Sequence, residues 1–262
     1  MLVRRDGRRS LLLLLLRNAL TSPFLSIVIP AHNEESRLPH TLEQVLAFLK
    51  QQTYSSEVLV VENGSSDRTF EIAEAFAREH PNLRVLRETE RGKGLAVRRG
   101  MMEARGAYRF MCDADLSMSI DQINRFVPPA VENVDIAIGS REAAGAVRDN
   151  EPSYRHIGGR VINTVIRVLI LPGLQDTQCG FKCFTAAAAE QTFRRQTLPG
   201  WSFDIELLYI ARRRGLTIRE IPIHWRFSPE TKLSAVQDAL RMMRDIFRIH
   251  RNARRGVYDR NP

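Results

Sequence analysis

The sequence predicts an α/β fold built on a mostly parallel sheet with helices on both faces, and three observations predict it. Short apolar, β-prone runs alternate with amphipathic helical stretches from Leu25 onward. Each run opens into a polar loop, so the order is strand, loop, helix, repeated. The fourth run, Tyr108 to Cys112, breaks abruptly into Asp113-Ala114-Asp115. In sheets of this kind ligands collect at the carboxyl ends of the strands, so the polar loops are predicted to converge on one crevice.

Leu25-Ser26-Ile27-Val28-Ile29-Pro30 is apolar, β-branched and closed by proline, the pattern of a buried strand. A polar loop, Ala31 to Arg37, leads to a helix carrying Leu42, Val45, Leu46 and Leu49. The second unit is Glu57 to Val61, the loop Glu62-Asn63-Gly64-Ser65-Ser66-Asp67, and a helix bearing Phe70, Ile72, Ala73, Phe76 and Ala77. Gly64 suits a tight turn, and Asp67 is read as a cap for the helix that follows. The third unit is Leu83 to Leu86, the loop Arg91-Gly92-Lys93-Gly94, and a helix from Leu95 to Ala104. Beyond the fourth strand, an apolar helix runs from Gly158 to Leu171 and stops at Pro172-Gly173, as a lining for a lipid channel or as core. One strand is expected from Thr217 to Phe227. The strongest helical pattern is Leu233, Val236, Leu240, Met243, Phe247 and His250, with Ala239 and Ile246 beside them, flanked by Arg241, Arg244, Arg248, Arg251, Arg254 and Arg255. Such a helix lies in the interface of an anionic membrane or packs on the sheet with its arginines in water.

The 262 residues divide into a basic, apolar segment 1–24, an α/β domain 25–232, and a basic amphipathic helix with its tail, 233–262. The run Leu11 to Leu16 is far shorter than the ~20 apolar residues a bilayer requires, and no small-residue cleavage site follows it before Pro23. A formal net charge of +9 favours anionic partners: nucleic acid, nucleotides or an acidic membrane surface. Nucleic acid is set aside because no helix-turn-helix, zinc or aromatic RNA-binding motif occurs, and the strand ends carry acids where phosphates need cations. The cysteines at 112, 179 and 183 lack zinc-ligand spacing; they read as small buried residues in a reducing compartment.

Side chains alternate along a strand, so Asp113 and Asp115 present their oxygens toward one point, which calls for a cation. Mg²⁺ or Mn²⁺ takes carboxylate oxygens and completes its shell with water and substrate phosphates, which suggests a metal and nucleoside-diphosphate site. Glu34 and Glu62, beyond the first two strands, can accept from base and ribose hydroxyls. Arg91 and Lys93 bring two cations toward the donor, or form a solvated basic turn. Asp176 to Lys182 returns an acid and a base on one loop. Of Asp204 and Glu206, one is expected at the substrate and the other paired with Arg212 or Arg213.

The stretches Ile27 to Glu35, Val61 to Ser65, Arg91 to Gly94 and Asp113 to Asp115 stand in the order seen in family 2 glycosyltransferases. Asp176-Thr177-Gln178-Cys179-Gly180-Phe181-Lys182 and Trp201 to Ala211 resemble the dolichyl-phosphate β-glucosyltransferase branch, and the resemblance extends from Leu25 to about His250. It implies an A-type glycosyltransferase fold and inverting, metal-dependent transfer of a hexose, from UDP-glucose or alternatively GDP-mannose, to a polyprenyl phosphate. A polysaccharide-directed enzyme of the same family is the alternative acceptor reading. By this resemblance Pro30, His32 and Glu34 form the first nucleotide-contacting loop, and Val60 with Glu62 the second. Asp113, Ala114 and Asp115 hold metal and diphosphate, Arg141 contacts the donor, and Arg226 and Lys232 hold the diphosphate from a loop. Four positions depart from the family pattern. His32 replaces a common tyrosine, Glu62-Asn63 the usual Asp-Asp, and Ser117 a metal-binding glutamine of the mannosyltransferases, which leaves water as third ligand and leans toward glucose. Asp176 is a candidate for orienting the acceptor or taking a residual proton. The expected location is the cytoplasmic face of a membrane, held peripherally.

Overall fold

The computed structural model describes residues 22–227 and 235–260. Strands β1 (Leu25–Ala31), β2 (Ser56–Glu62), β3 (Leu83–Arg87) and β4 (Tyr108–Met111) are each followed by the predicted polar loop. Helices α1 (Leu38–Lys50), α2 (Thr69–Glu79) and α3 (Lys93–Glu103) connect the first four strands. Then come a 3₁₀ turn (Ile120–Arg125), β5 (Ile136–Ser140), β6 (Val147–Asp149), α4 (Ser153–Leu169), β7 (Lys182–Thr185), α5 (Ala186–Phe193) and α6 (Phe203–Arg213). The chain continues through β8 (Ile218–Pro222), β9 (His224–Arg226) and α7 (Ala235–Arg254).

Seven strands form one sheet in the order β3-β2-β1-β4-β7-β5-β8. β1 pairs in parallel with β2 and β4, β2 with β3, and β5 with β8, while β7 runs antiparallel to both its neighbours. The carboxyl ends of the other six strands therefore share one edge, and β7 enters from it. The segment Asp176 to Phe181, which feeds β7, is delivered to the same edge as the loops after β1 to β5.

Both faces of the sheet are covered, which is why the strands read as unbroken apolar runs. Val28, Leu59 and Val61 face one core with Ala96, Val97 and Met101 of α3, Phe203 and Leu207 of α6, and Ile246 and Ile249 of α7. Leu25, Ile27, Ile29, Val58 and Val60 face the other, with Leu38, Leu42, Val45 and Leu46 of α1. Helix α3 comes very close to the sheet at Gly100, where a Cβ would stand 2.3 Å from a Val28 methyl carbon. Below the edge, the rings of Phe110, Phe126 and Phe181 meet edge to face, with centroids 4.5 to 5.4 Å apart. That geometry favours the ring quadrupoles and stiffens β4 and the entry to β7 together.

Two expectations are corrected here. The single strand Thr217 to Phe227 is two, because the chain leaves the large sheet at Pro222 and β9 pairs with β6 in a separate two-stranded sheet. Gln122 pins that sheet through both backbone groups of His224, at 2.8 Å each. The last helix packs on the core, yet the stripe it buries is Met242, Ile246, Ile249 and Ala253. Leu240 and Phe247, which the heptad-like spacing marked as its apolar face, are 68% and 69% exposed. Its first predicted residue, Leu233, most of the segment 1–24, and the boundary at 232/233 lie outside the described residues. All three cysteines are buried and free, as their bland reading required.

Candidate active site

At the shared edge the loop after β1 is tied to the loop after β2. His32 Nδ1 donates to the Asn63 carbonyl at 2.8 Å, and its Nε2 accepts from Arg91 at 2.8 Å, which is a neutral imidazole linking three loops. Asn33 Oδ1 accepts from the Ser66 amide at 2.9 Å. Asn63 organises the third loop: its Nδ2 donates to the Glu88 and Glu90 carbonyls at 3.1 and 2.6 Å, and its Oδ1 accepts from Gly92 N at 2.8 Å. The expectation that Asp67 caps α2 is corrected: the cap position is Arg68 and carries no side-chain cap bond, while Asp67, one residue earlier, accepts from the Thr69 amide at 3.0 Å and ties down the first turn from outside the helix.

Glu34 lies half-buried in a bidentate pair with Arg37 at 2.7 and 2.8 Å. Burial pushes its carboxyl above the ordinary range and Asp115 and Asp113 add to the push, with Arg37 opposing. Glu34, Asp113 and Asp115 thus share one field. Glu62 is buried; it accepts from the Ser65 amide at 2.5 Å and pairs with Arg87 at 3.4 Å. Val60 is wholly enclosed in the core and Pro30 half-buried, so Val60 serves the site by holding β2 rather than by exposing its side chain.

The chain turns directly after β4 to present Asp113-Ala114-Asp115. Thr41 of α1 holds the turn by donating its hydroxyl to the Ala114 carbonyl at 2.6 Å, and the Ser117 amide donates to Asp115 Oδ1 at 3.0 Å. Lys93, the first residue of α3, pairs with Asp113 at 2.6 Å. Burial alone would lower the Lys93 ammonium's pKa, but Asp113, Asp204 and Asp115 outweigh it and hold it above the usual value. Trp201, 59% exposed, lies with its ring 4.7 Å from that ammonium, a cation–π contact on the outer side of the pair.

Behind this turn stands a second buried cation. Lys182 opens β7 and is fully buried, donating to the Cys179 carbonyl and to Asp204 Oδ1 at 2.7 Å. Burial pushes Asp204 above its ordinary range, with Lys182 and Lys93 opposing. Glu206 accepts from the Thr197 and Leu198 amides at 2.9 and 2.8 Å and from the Tyr258 hydroxyl at 2.8 Å. The expected pairing of one of these carboxylates with Arg212 or Arg213 is therefore corrected: Arg213 pairs with Asp259 instead. Gly180 completes the support. A Cβ there would fall 2.1 Å from Asp113 Oδ2, so any side chain at 180 would displace that carboxylate from its place beside Lys93.

Arg141, just past β5, is locked to Asp176 by a bidentate pair at 2.7 and 2.9 Å, and its own amide donates to the same carboxylate at 3.0 Å. Burial alone would raise the Asp176 carboxyl, but Arg141 holds it below the usual range, so it stays charged. With both oxygens engaged and no exposed surface, Asp176 reaches the crevice only through the orientation it gives Arg141. Trp225 of β9 lies under that guanidinium, 5.4 Å away. Arg226 is brought to the Asp113–Asp115 turn by its backbone, whose amide donates to the Ser117 carbonyl at 2.8 Å, and its side chain is exposed. Lys232 lies outside the described residues.

Among the described residues no group of three or more His, Cys, Asp and Glu side chains could hold a metal ion by itself. Two carboxylates on one turn, with oxygen chemistry and nothing softer, suit Mg²⁺ or Mn²⁺ when the remaining positions go to water and a bound diphosphate. The residues present fit such an ion. Sequence reading missed Asn63 and Gly180 as site builders, and it placed Lys182 as a base on a loop where the structure buries it at the start of β7. A buried lysine and an asparagine after a strand carry no local signature, whereas Gly180 sits in a motif that marked the loop without its reason.

The family model for glycosyl transferase family 2 matches residues 26–193. A dolichyl-phosphate beta-glucosyltransferase of Drosophila melanogaster is 36% identical over 86% of this chain and 74% of its own. Those of Dictyostelium discoideum and Homo sapiens are 30% and 33% identical, covering 92% and 85% of this chain and 78% and 73% of theirs. The fold is that of glucosyl-3-phosphoglycerate synthase from Mycobacterium tuberculosis. The structure with uridine diphosphate aligns at TM-score 0.64 and 19% identity, over 89% of this chain and 82% of that one. The structure with Mn²⁺ and UDP-glucose aligns at TM-score 0.61 and 17% identity, over 88% and 79%.

Proposed function

This chain belongs to glycosyl transferase family 2, on its dolichyl-phosphate beta-glucosyltransferase side, and we propose that it moves glucose with inversion from UDP-glucose to a dolichyl or other polyprenyl phosphate. The observation that carries this reading is the likeness to those glucosyltransferases over nearly the whole chain, with Asp113 and Asp115 at the carboxyl edge beside Lys93 and Arg226. Pro30, His32 and Glu34 are the donor-side residues of the first loop, with Glu62 behind them. Lys93, Asp113, Ala114, Asp115, Arg141 and Arg226 surround the diphosphate, and Lys232, outside the described residues, is assigned to it by the resemblance.

The nucleophile is a phosphate oxygen of the acceptor, already largely anionic near neutral pH because its second pKa is ~6. It attacks the sugar C1 as the bond from C1 to the β-phosphate oxygen breaks, and UDP departs with that electron pair. No strong base is needed, which accords with an Asp176 carboxylate wholly engaged by Arg141. Asp115 with Asp113 would hold a divalent ion, Mg²⁺ or Mn²⁺, which would supply Lewis-acid chemistry to the leaving diphosphate. Lys93 holds Asp113 in register for it, and Arg226 and Lys232 add positive charge where negative charge grows. Arg141, fixed by Asp176, faces donor or acceptor phosphate with a preset orientation.

An acceptor with a lipid tail is met at a bilayer, and a nucleotide sugar is available on its cytoplasmic face; peripheral attachment there is part of the proposal. No helix among the described residues is long and apolar enough to cross a membrane. The test is a panel of UDP- and GDP-sugars with short polyprenyl phosphates and Mg²⁺ or Mn²⁺. Transfer from UDP-glucose to the lipid phosphate is expected. Preference for GDP-mannose, or transfer only to a glycan acceptor, overturns the reading.

A further inference from the structure

Helix α7 has two apolar faces, and only one of them is used by the core. Met242, Ile246, Ile249 and Ala253 are buried, while Leu240 and Phe247, two turns apart on another side, are 68% and 69% exposed. At the end of α4, Val168 and Leu169 are 75% and 45% exposed. The two helix surfaces are joined, because the His250 ring bonds to the Leu169 carbonyl at 3.2 Å and stands one turn beyond Phe247. Next to Phe247, a surface cleft of about 490 Å³ is lined by His250, Arg251, Arg254 and Arg255. Arg244 and Arg248 are exposed on the same helix. Exposed apolar prongs ringed by arginine, beside a cationic cleft, match an anionic bilayer in both polarity and charge.

We propose that the free face of α7 and the end of α4 together form the surface on which this protein lies on an anionic lipid bilayer. Leu240, Phe247, Val168 and Leu169 enter the acyl boundary, and the cleft at His250, Arg251, Arg254 and Arg255 takes phosphate headgroups. The placement connects with the crevice. Further back along α4, Arg160, Asn163, Thr164 and Arg167 line a groove with Glu142 and Gln175, the sequence neighbours of Arg141 and Asp176. From Arg160 to Val168 the helix rises about 12 Å, so one helix leads from the lipid contact to the Arg141 side of the site. The inference rests on the proposed function only for the lipid tail of the acceptor.

The full chain is sedimented with vesicles of phosphatidylcholine alone and of phosphatidylcholine with phosphatidylglycerol, at low and high salt. Binding is expected to the anionic vesicles and to weaken with salt. Leu240→Ser with Phe247→Ser is expected to lower partitioning roughly ten-fold for each side chain, and Val168→Ser with Leu169→Ser likewise. Arg251→Ser with Arg254→Ser is expected to cost about five-fold for each arginine. Thermal unfolding of each variant confirms the fold, and turnover with a short, soluble polyprenyl phosphate stays at the parent level. Wild-type vesicle binding by all three variants overturns the proposal; a chain lacking residues 1–21 then shows whether that segment anchors instead. A concentration-dependent dimer that Phe247→Ser dissociates, with no vesicle binding, assigns the face to a second copy and also overturns it. Vesicle binding that survives when no sugar is transferred from any donor refutes the proposed function and leaves the surface standing.

Discussion

Gly180→Ala tests whether the Asp113–Asp115 turn depends on the segment that enters β7. The added methyl carbon would lie 2.1 Å from Asp113 Oδ2 and 2.7 Å from its Cγ. Side-chain carbons do not approach an oxygen within about 3 Å, so the carboxylate must retreat by roughly 1 Å. Retreat by rotation is cheap in folding terms because Asp113 is partly exposed, but it breaks the 2.6 Å pair with Lys93. A misplacement of about 1 Å in a reacting constellation costs on the order of 100-fold in rate. The expected result is a kcat/KM about 100-fold lower, weaker Mn²⁺ affinity in calorimetry without donor, and an unfolding free energy within about 1 to 3 kcal/mol of the parent. Parent-level kcat/KM and metal affinity in Gly180→Ala would refute the claim that this glycine positions Asp113. Loss of the fold would show instead that the segment cannot move at all, and Gly180→Ala with Asp113→Ala then separates the two, since removing the carboxylate relieves the clash.

Asp115→Asn is expected to lower transfer by at least about 100-fold while unfolding is unchanged, because the amide lacks the charge that balances the cation; near-normal turnover at saturating Mn²⁺ rejects it as a ligand. Asp176→Asn is expected to destabilise by about 3 to 5 kcal/mol, since it leaves the Arg141 guanidinium beside a neutral partner in a buried site. The Asp176 pKa is depressed in the folded chain, so its stabilising contribution is present above the unfolded carboxylate range and is lost as pH falls below about 4 through the folded value. Urea midpoints from neutral to acid pH are expected to show that acid-dependent fraction vanish in Asp176→Asn, and an unchanged pH profile counts against the pair. Lys232→Met is expected to lower kcat more than it raises the donor KM, because its charge acts on the leaving diphosphate; a purely raised KM places it in ground-state binding.

The sequence by itself determined the layered architecture and the edge at which Asp113 and Asp115 stand. Unbroken apolar strands such as Leu25 to Ile29 need helices on both sides, and a strand that ends in Asp113-Ala114-Asp115 puts two carboxylates at the ligand edge of a parallel sheet. These are local facts of periodicity and strand termination, and they survive whatever packs around them. The tertiary structure decided the partners. That β7 runs antiparallel between β4 and β5 is set by sheet pairing across about seventy intervening residues, and it alone brings Gly180 against Asp113 and Lys182 under Asp204. Asp176 carried the same carboxylate signal as Asp115, but burial beside Arg141 turned it from a candidate proton acceptor into the anchor of a guanidinium. In α7 the repeat at three and four residues marked Leu240 and Phe247, whereas the core took Met242, Ile246 and Ile249, since a helix with two apolar stripes cannot say which of them the sheet will cover.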